Sequence, residues 1–276
     1  MSTLENLLGH DPTAHTRTDV LTLIENGIRH QPRSLQKLIG PSELGTDCAH
    51  CLAAKLAGWD ETQRDTAWLP FIGTAVHAAL AEFFEADNTT SVASGGRRRW
   101  RVEERVHVGF IGPHRISGTC DLYDTATGTV VDWKIVGAET LRTAKAAPKR
   151  VYQVQAHLYG LGWENAGHTP ERVMIAHLPR NAVSLAQAVI WEAPYDRDTA
   201  LDALANAARV HANVTALASI STTTRDQWIT GLPRATGCFS CARYPDYASQ
   251  PSRLAAEFTT LTVAQADGIT PTRKAA

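Results

Sequence analysis

The alternation of apolar and polar side chains is clearest in the middle of the chain, where it predicts three β-strands. Residues 100–110 alternate well enough for a first strand, and residues 115–123 and 129–136 are rich in the β-branched and apolar side chains that favour strands. Between the last two lies Thr125-Ala-Thr-Gly128, in which the glycine is free to adopt a positive φ. The pattern therefore predicts a β-hairpin that completes a sheet begun by the first strand.

Helical periodicity is found on both sides of this sheet. Apolar positions spaced three and four residues apart predict helices over residues 20–28, 47–56, 71–84, 151–166 and 198–217. Turn-forming residues predict a loop over residues 88–96. Two further apolar runs predict strands over residues 171–178 and 188–191. This order of elements predicts an α/β fold with a mixed central sheet flanked by helices.

The predicted hairpin also contains the most informative polar residues. Because side chains alternate between the faces of a strand, Asp132 and Lys134 project from the same face, and Asp121 can join them from the neighbouring strand. Carboxylate and carbonyl oxygens suit Mg²⁺ or Mn²⁺, and a nearby ammonium can orient water or balance charge on a phosphate. The residues predict a metal-dependent site that cleaves phosphodiesters; a solvated ion pair is the alternative.

Four short motifs, taken in order, resemble those of the PD-(D/E)xK nuclease superfamily and, within it, the RecB-like exonuclease branch. They are Gly73-Thr-Ala-Val-His77, Gly118-Thr-Cys-Asp121, Asp132-Trp-Lys134 and Gln155-Ala-His-Leu-Tyr159. The resemblance covers roughly residues 40–247 and depends on the order of the motifs, since each is short. It is greatest to CRISPR-associated exonucleases and to relatives encoded by phages of actinobacteria, and it implies a restriction-endonuclease-like core.

The resemblance implies a role for each matching residue. The residues that would bind Mg²⁺ or Mn²⁺ are His77, Asp121, Asp132 and, through its backbone carbonyl, Trp133. Lys134 would position or activate water, Gln155 would orient the lysine or the nucleophile, and Tyr159 would contact phosphate or brace its helix. Without the ordered motifs, His77 would be interpreted as a packing residue, and the last two as a surface pair.

The cysteines form a second candidate site. Cys48-Ala-His-Cys51 and Cys238-Phe-Ser-Cys241 flank the predicted core, so the fold can join its N- and C-terminal elements through four thiolates. Four thiolates suit Zn²⁺ or an iron–sulphur cluster. The CRISPR-associated relatives hold a [4Fe–4S] cluster with one upstream and three downstream cysteines, a pattern from which this chain departs. The resemblance favours a [4Fe–4S] cluster, with Zn²⁺ and then free thiols as alternatives. Cys120 is expected to be a core residue.

Charge and hydropathy narrow the class of protein. The 276 residues have a formal net charge of −1, so a nucleic acid would be bound by local basic patches such as Arg142, Lys145, Lys149 and Arg150. The chain begins without a secretory pattern, and no apolar run approaches membrane-spanning length. We therefore expect a soluble cytoplasmic protein, in the host cytoplasm if it is phage-encoded, with reduced cysteines.

The predicted organisation is an N-terminal appendage over 1–39, a nuclease domain over 40–250 and a tail over 251–276. The predicted function is a metal-dependent DNA exonuclease that acts on single-stranded or frayed ends in recombination, replication or end processing. Exposed aromatic residues such as Trp100 would stack on bases. Two alternatives stay open: a non-catalytic nucleic-acid-binding or complex-forming module that retains the nuclease fold, and a zinc-built adaptor of other ancestry.

Overall fold

The computed structural model describes residues 12–30, 39–61, 67–238 and 240–244. The predicted tail and parts of the N-terminal appendage lie outside these residues, and the domain boundaries stay predictions. The described helices are α1 (Pro12–Arg29), α2 (Pro41–Leu44), α3 (Ala49–Leu56), α4 (Trp68–Ala93), α5 (Ala138–Ala144), α6 (Arg150–Asn165), α7 (Arg197–Ile220) and α8 (Thr222–Thr230). The described strands are β1 (Trp100–Ile111), β2 (His114–Asp124), β3 (Thr129–Val136), β4 (Arg172–Pro179) and β5 (Val189–Pro194).

The strands form one mixed sheet in the order β1-β2-β3-β4-β5. Neighbours are antiparallel except β3 and β4, which are parallel and are connected through α5 and α6. A parallel pair needs such a crossover, because its second strand must start at the same edge of the sheet. The predicted mixed α/β fold is confirmed.

Helices α4 and α6 lie on opposite faces of the sheet at β3. Phe84 of α4 stacks on Trp133, with ring centroids 5.5 Å apart, whereas the next residue, Lys134, bonds Gln155 of α6. Consecutive side chains of a strand point to opposite faces, so the two helices cover both. Residues 154–163 of α6 are all buried. This helix is the central support of the main core.

The buried apolar residues divide into two clusters. The larger lies between the sheet, α6 and α7, and includes the stacked rings of Tyr123 and Trp163, 4.7 Å apart. The smaller surrounds α3 and α8 and contains two of the cysteines, Cys48 and Cys51, with Cys238 and Cys241 packed against it. The two candidate sites therefore belong to different parts of the core.

Helix α4 corrects two predictions. It begins at Trp68, before Pro70, because a proline in the first helical turn removes no intrahelical hydrogen bond. It also continues to Ala93, so the loop predicted over 88–96 is wrong in its first six residues. The cause is Asn88, whose buried side-chain amide accepts from the backbone N–H groups of residues 99 and 100 and donates to the Trp100 carbonyl. These bonds attach the helix to the start of β1.

Three short helices have no counterpart in the sequence prediction. Pro41 begins the single turn of α2. Helix α5 follows β3, and α8 follows α7 after Ser221, whose side chain caps it. None of the described helices is both long and apolar enough to cross a membrane.

Candidate active site and cysteine cluster

The candidate active site lies where β2 and β3 stop pairing. Their ladder runs from Asp124 paired with Thr129 to Leu122 paired with Val131 and goes no further. Beyond that point, the backbone N–H of Trp133 donates to Oδ2 of Asp121 at 2.7 Å. The Asp121 carboxylate thus takes the place of a strand carbonyl and is fixed between the separating strands.

Asp121 forms a compact group with His77 of α4 and Glu103 of β1. Nδ1 of His77 lies 3.3 Å from Oδ1 of Asp121 and 3.7 Å from Oε1 of Glu103. One nitrogen and two carboxylate oxygens of these residues lie within 4.8 Å of one another, as the ligands of one cation would. The structure therefore brings together His77 and Asp121, as predicted, with a glutamate that was not predicted.

Glu103 has an unusual backbone conformation. Its φ is +49°, and it is the only described non-glycine residue with a positive φ. The register passes from Val102 paired with Leu122 to Glu104 paired with Cys120, so Glu103 lies opposite Asp121 without a ladder pair. A left-handed conformation costs a non-glycine residue of order 1 kcal/mol, and such strain is concentrated at functional sites. The sequence gives no signal for it, because Glu103 looks like any polar strand residue.

The carboxylates change the charge of His77. Burial acts to lower the pKa of His77, but hydrogen bonds to Asp121 and Glu103 and their negative charges outweigh it and raise this pKa to about 9. The imidazole is therefore protonated at neutral pH while no cation is bound. A divalent cation bound by the two carboxylates would take over the role of that proton and leave a neutral imidazole as ligand.

A second group of polar residues runs from β3 into α6. Nζ of Lys134 lies 2.5 Å from Oδ2 of Asp132 and donates to Oε1 of Gln155 at 3.0 Å. Nε2 of Gln155 in turn donates to the Tyr159 hydroxyl at 3.4 Å. The four residues, all predicted for the site, thus form one continuous chain of polar contacts.

Asp132 is in an unfavourable position for a charged group. Its side chain is fully buried, and apart from the close approach of Lys134 neither carboxylate oxygen accepts a well-oriented hydrogen bond from a described residue. Burial, with the nearby charge of Asp121, raises the pKa of Asp132 to about 6, although Lys134 opposes the shift. The carboxylate is not part of the group formed by His77, Glu103 and Asp121. It lies close enough to Asp121 and His77 for their charges to change its pKa.

Gly118 allows Tyr159 to approach β2. A Cβ at this position would lie 2.8 Å from Cγ of Pro41 and 3.1 Å from Cε1 of Tyr159. Tyr159 is itself buried, and burial, with the charge of Asp132, raises the pKa of its hydroxyl. Tyr159 thus packs close to Gly118 of β2 and accepts a hydrogen bond from Gln155 within α6.

Two further residues near Lys134 were not predicted. Its partner in the parallel register is His177 of β4, which is fully buried and whose pKa is lowered by burial and, to a smaller extent, by the charge of Lys134. The Tyr152 ring of α6 lies 5.0 Å from Nζ of Lys134 and 6.1 Å from the His177 ring. Both residues therefore lie beside Lys134, in addition to Asp132 and Gln155.

The four predicted basic residues are all exposed, but two of them have acidic partners. Arg142 forms a bidentate pair with Glu139, and Nε of Arg150 lies 3.4 Å from Oδ1 of Asp47. Lys145 and Lys149 show no ion pair with a described residue. The prediction of a basic surface thus depends mainly on the two lysines.

Trp100 is not the exposed ring that was predicted. Its Nε1 donates to Asp87 at 2.7 Å, its ring packs edge-on against Phe84, and the Arg99 guanidinium lies 4.2 Å from the ring centroid. The guanidinium covers one face on which a base would stack, and the ring is only partly exposed. The ring instead helps to attach α4 to β1.

The four predicted cysteines come together at the other candidate site. Sγ of Cys48 lies 3.2 Å from Sγ of Cys241, and Sγ of Cys51 lies 3.4 Å from Sγ of Cys241 and 3.6 Å from Sγ of Cys238. All four sulphur atoms lie within 4.8 Å of one another. They join α3 to the C-terminal part of the described chain, as predicted. Cys120 is fully buried in the main core, also as predicted.

The close thiols divide their protons unequally. Burial acts to raise the pKa of Cys48, but backbone N–H groups of Cys51 and Ala235 and neighbouring thiols lower it to about 7. Burial and the neighbouring sulphur atoms raise the pKa of Cys241 to about 11 and that of Cys51 further still. One thiolate is thus stable here at neutral pH, and further thiolates need a cation.

Comparison with known proteins adds little to this geometry. No family of known proteins matches the chain, and no curated protein does. Among solved structures, the chain is similar to a phage-related exonuclease from Haemophilus somnus 129PT, at a TM-score of 0.35 and 15% identity over 67% of this chain and 96% of the other. A similarity of this size supports no conclusion about fold or function, so the case for a function depends on the residues themselves.

Proposed function

We propose that this protein is a metal-dependent nuclease that hydrolyses phosphodiester bonds in DNA. The observation that supports this most is the position of two polar groups side by side where β2 and β3 separate. One is the ligand group of His77, Glu103 and Asp121, and the other is the buried pair of Asp132 and Lys134. Cation ligands next to a fixed ammonium are what hydrolysis of a phosphate ester requires.

The residues present fit a divalent cation with hard ligands. His77, Glu103 and Asp121 would hold Mg²⁺ or Mn²⁺, with the Asp132 carboxylate and the Trp133 carbonyl as the further predicted ligands. Asp132 supports the fit because its buried oxygens lack well-oriented donors among the described residues. When bound, the cation would supply positive charge and Lewis acidity at the scissile phosphate.

Lys134 is the residue that we propose acts on the reacting atoms. Asp132 and Gln155 hold its ammonium on two sides, and the side chain is 15% exposed, which leaves a route for contact with water or phosphate. From there, Nζ can donate to the attacking water or to the phosphate oxygen on which charge develops. Gln155 is a positioning residue, and Tyr159 supports Gln155.

The proposed reaction is direct hydrolysis. Water loses a proton to solvent as its oxygen attacks phosphorus and forms a new P–O bond, the bond to the leaving sugar oxygen breaks, and that oxygen takes up a proton from solvent. No protein nucleophile is needed, because the site contains cation ligands and an ammonium in place of an activated hydroxyl or thiol. The exposed Lys145 and Lys149 would contact backbone phosphates.

The order of the four motifs supports the finer parts of the proposal. These are exonucleolytic action on single-stranded or frayed DNA ends and a role in recombination, replication or end processing. The motifs are the ones that resemble RecB-like exonucleases.

The test compares linear and circular single-stranded DNA of the same sequence, each with Mg²⁺ or Mn²⁺. We expect release of nucleotides from the linear strand by the wild type, and loss of that release in Asp121→Asn. Glu104→Gln is the matched control, since Glu104 lies on the same strand as Glu103 but pairs with Arg101 at the surface. Cleavage of the circular strand would show that the protein acts as an endonuclease and not as an exonuclease. Binding without cleavage in either cation would favour the non-catalytic module.

A further inference from the structure

The sulphur atoms of the cysteine cluster lie unusually close together. Three of the separations are 3.2, 3.4 and 3.6 Å, and all four atoms fall within 4.8 Å of one another. The separations between the sulphur atoms are informative because they must match the size of the metal group that the four thiolates bind. A single ion requires much shorter separations than a polynuclear cluster does.

A single tetrahedral ion fits these separations. With Zn–S bonds of about 2.3 Å, the edges of a tetrahedral sulphur shell measure roughly 3.8 Å. In a [4Fe–4S] cluster each thiolate binds a different iron and points away from the cluster centre, which places the sulphur atoms roughly 6 Å apart. Every separation in this group is below 4.8 Å. The residues therefore do not fit the [4Fe–4S] cluster that the family resemblance implies.

We propose that Cys48, Cys51, Cys238 and Cys241 bind one Zn²⁺ ion. The site is then a structural one, since a structural zinc site uses four protein ligands and leaves no position open. It would connect α3 to the C-terminal segment without redox chemistry. The proposal does not depend on the proposed nuclease activity, because none of its ligands belongs to the other site.

The backbone around the cysteines supports thiolate ligands. The Cys48 backbone N–H donates to Oγ1 of Thr46 at 3.2 Å, which fixes the start of the first Cys-x-x-Cys segment. Gly237, with a φ of +68°, precedes Cys238, and the Cys241 N–H donates to the Cys238 carbonyl at 3.4 Å. This hydrogen bond holds Cys238 and Cys241 close together.

The surroundings of the cysteines suit a structural ion. Cys48 and Cys51 are buried and lie in an apolar cluster with Trp59, Val214 and Ile229. Burial away from water protects the ion from exchange and the thiolates from oxidation. His50, between the two cysteines, is fully buried and packs edge-on against Trp59. Its Nε2 lies 3.4 Å from the Arg234 guanidinium, so the ring packs beside the apolar cluster.

The test is elemental analysis of the full chain purified without oxygen from cells supplied with both iron and zinc. We expect one zinc per chain, no acid-labile sulphide and no visible absorption. Replacement of the zinc by Co²⁺ should give the intense absorption of a tetrahedral thiolate site at one equivalent per chain. Cys51→Ser should lose most of the bound metal, whereas Cys120→Ala, which alters the cysteine outside the cluster, should keep it.

Several results would overturn the proposal. Four irons and four sulphides per chain would establish the [4Fe–4S] cluster. A single iron without sulphide would keep the tetrahedral site but exclude zinc as its native ion. A metal-free protein that takes up no Co²⁺ would show that the thiols are free. Because these measurements use the wild-type chain, they decide the question even if Cys51→Ser fails to fold.

Discussion

The candidate active site and the cysteine cluster both gather metal ligands, but they relate to stability in opposite ways. The active site buries Asp132 with an unfavourable charge and holds Glu103 in a strained conformation. The cysteine cluster lies in its own apolar core and joins positions 187 to 193 residues apart. The proposed chemistry thus comes at a cost in stability, whereas the proposed structural metal would add stability.

The largest expected effect is a loss of DNA cleavage when the active site alone is changed. Asp132→Asn removes a carboxylate next to the proposed cation and should lower the rate of DNA cleavage by about 10³-fold, the size of loss seen when a charge-stabilising group is removed. The zinc content should stay at one per chain. The measurement is single-turnover cleavage beside elemental analysis, and cleavage within a factor of about ten of the wild type would contradict the role of Asp132.

The reverse effect is expected at the cysteines. Cys51→Ser should lower the free energy of unfolding by at least about 3 kcal/mol, because the energy of binding a structural metal is folding energy. Thermal unfolding should shift down by roughly 6–12 °C. Cleavage by the folded fraction at low temperature should change by less than about threefold, since the sites share no ligand. Equal losses of stability in Cys120→Ala would mean that the metal is not the cause.

The pH dependence of stability sharpens the comparison at Asp132. Its pKa in the folded protein is about 6, above that of an unfolded chain. The contribution of Asp132 to the free energy of unfolding is therefore fully present below about pH 4 and is lost as the pH rises through about 6. Without added Mg²⁺ or Mn²⁺, Asp132→Asn should be more stable than the wild type at pH 8, by about 3 kcal/mol, and equal near pH 4.

Urea unfolding of both proteins between pH 4 and 8 measures this difference. The raised pKa of His77 affects the free energy of unfolding at higher pH, up to about pH 9, and this contribution is present in both proteins. Subtracting one profile from the other therefore isolates the aspartate. A wild type that is the more stable protein at pH 8 would show that the ion pair with Lys134 outweighs the burial of the charge.

The smallest expected effect is at Glu103. Glu103→Gln should weaken Mn²⁺ binding by about tenfold, the usual effect of removing one supporting group at a metal site. Glu103→Gly should weaken it equally but, because glycine adopts a positive φ without strain, should leave the protein as stable as the wild type or more so by about 1 kcal/mol. Binding titrations and thermal unfolding provide the two numbers. Unchanged Mn²⁺ affinity in both variants would remove Glu103 from the site.

The parts of the active site that follow strand periodicity could be predicted. Asp132 and Lys134 share a face because they are two residues apart on β3, and Asp121 is held between the strands by the Trp133 N–H. The helix that carries Gln155 was also predicted nearly to its ends. Strand periodicity was sufficient for Asp132 and Lys134, whereas Gln155 was identified as a site residue only through the ordered motifs.

Other features depend on contacts that local pattern does not record. Asn88 extends α4 by bonding the start of β1, and Glu103 becomes a candidate ligand only through its position opposite Asp121. The pairing of the cysteines could be anticipated from two Cys-x-x-Cys segments. The distances between their sulphur atoms, which favour zinc over an iron–sulphur cluster, could not.

The most direct test of the proposed nuclease is the cleavage rate of Lys134→Gln with Mn²⁺ bound. This variant keeps every proposed cation ligand and removes the ammonium that lies between Asp132 and Gln155. We predict Mn²⁺ binding close to that of the wild type and a loss of end-labelled DNA cleavage of at least about 10²-fold. Wild-type cleavage by the Mn²⁺-loaded variant, or no cleavage by the Mn²⁺-loaded wild type, would contradict the account.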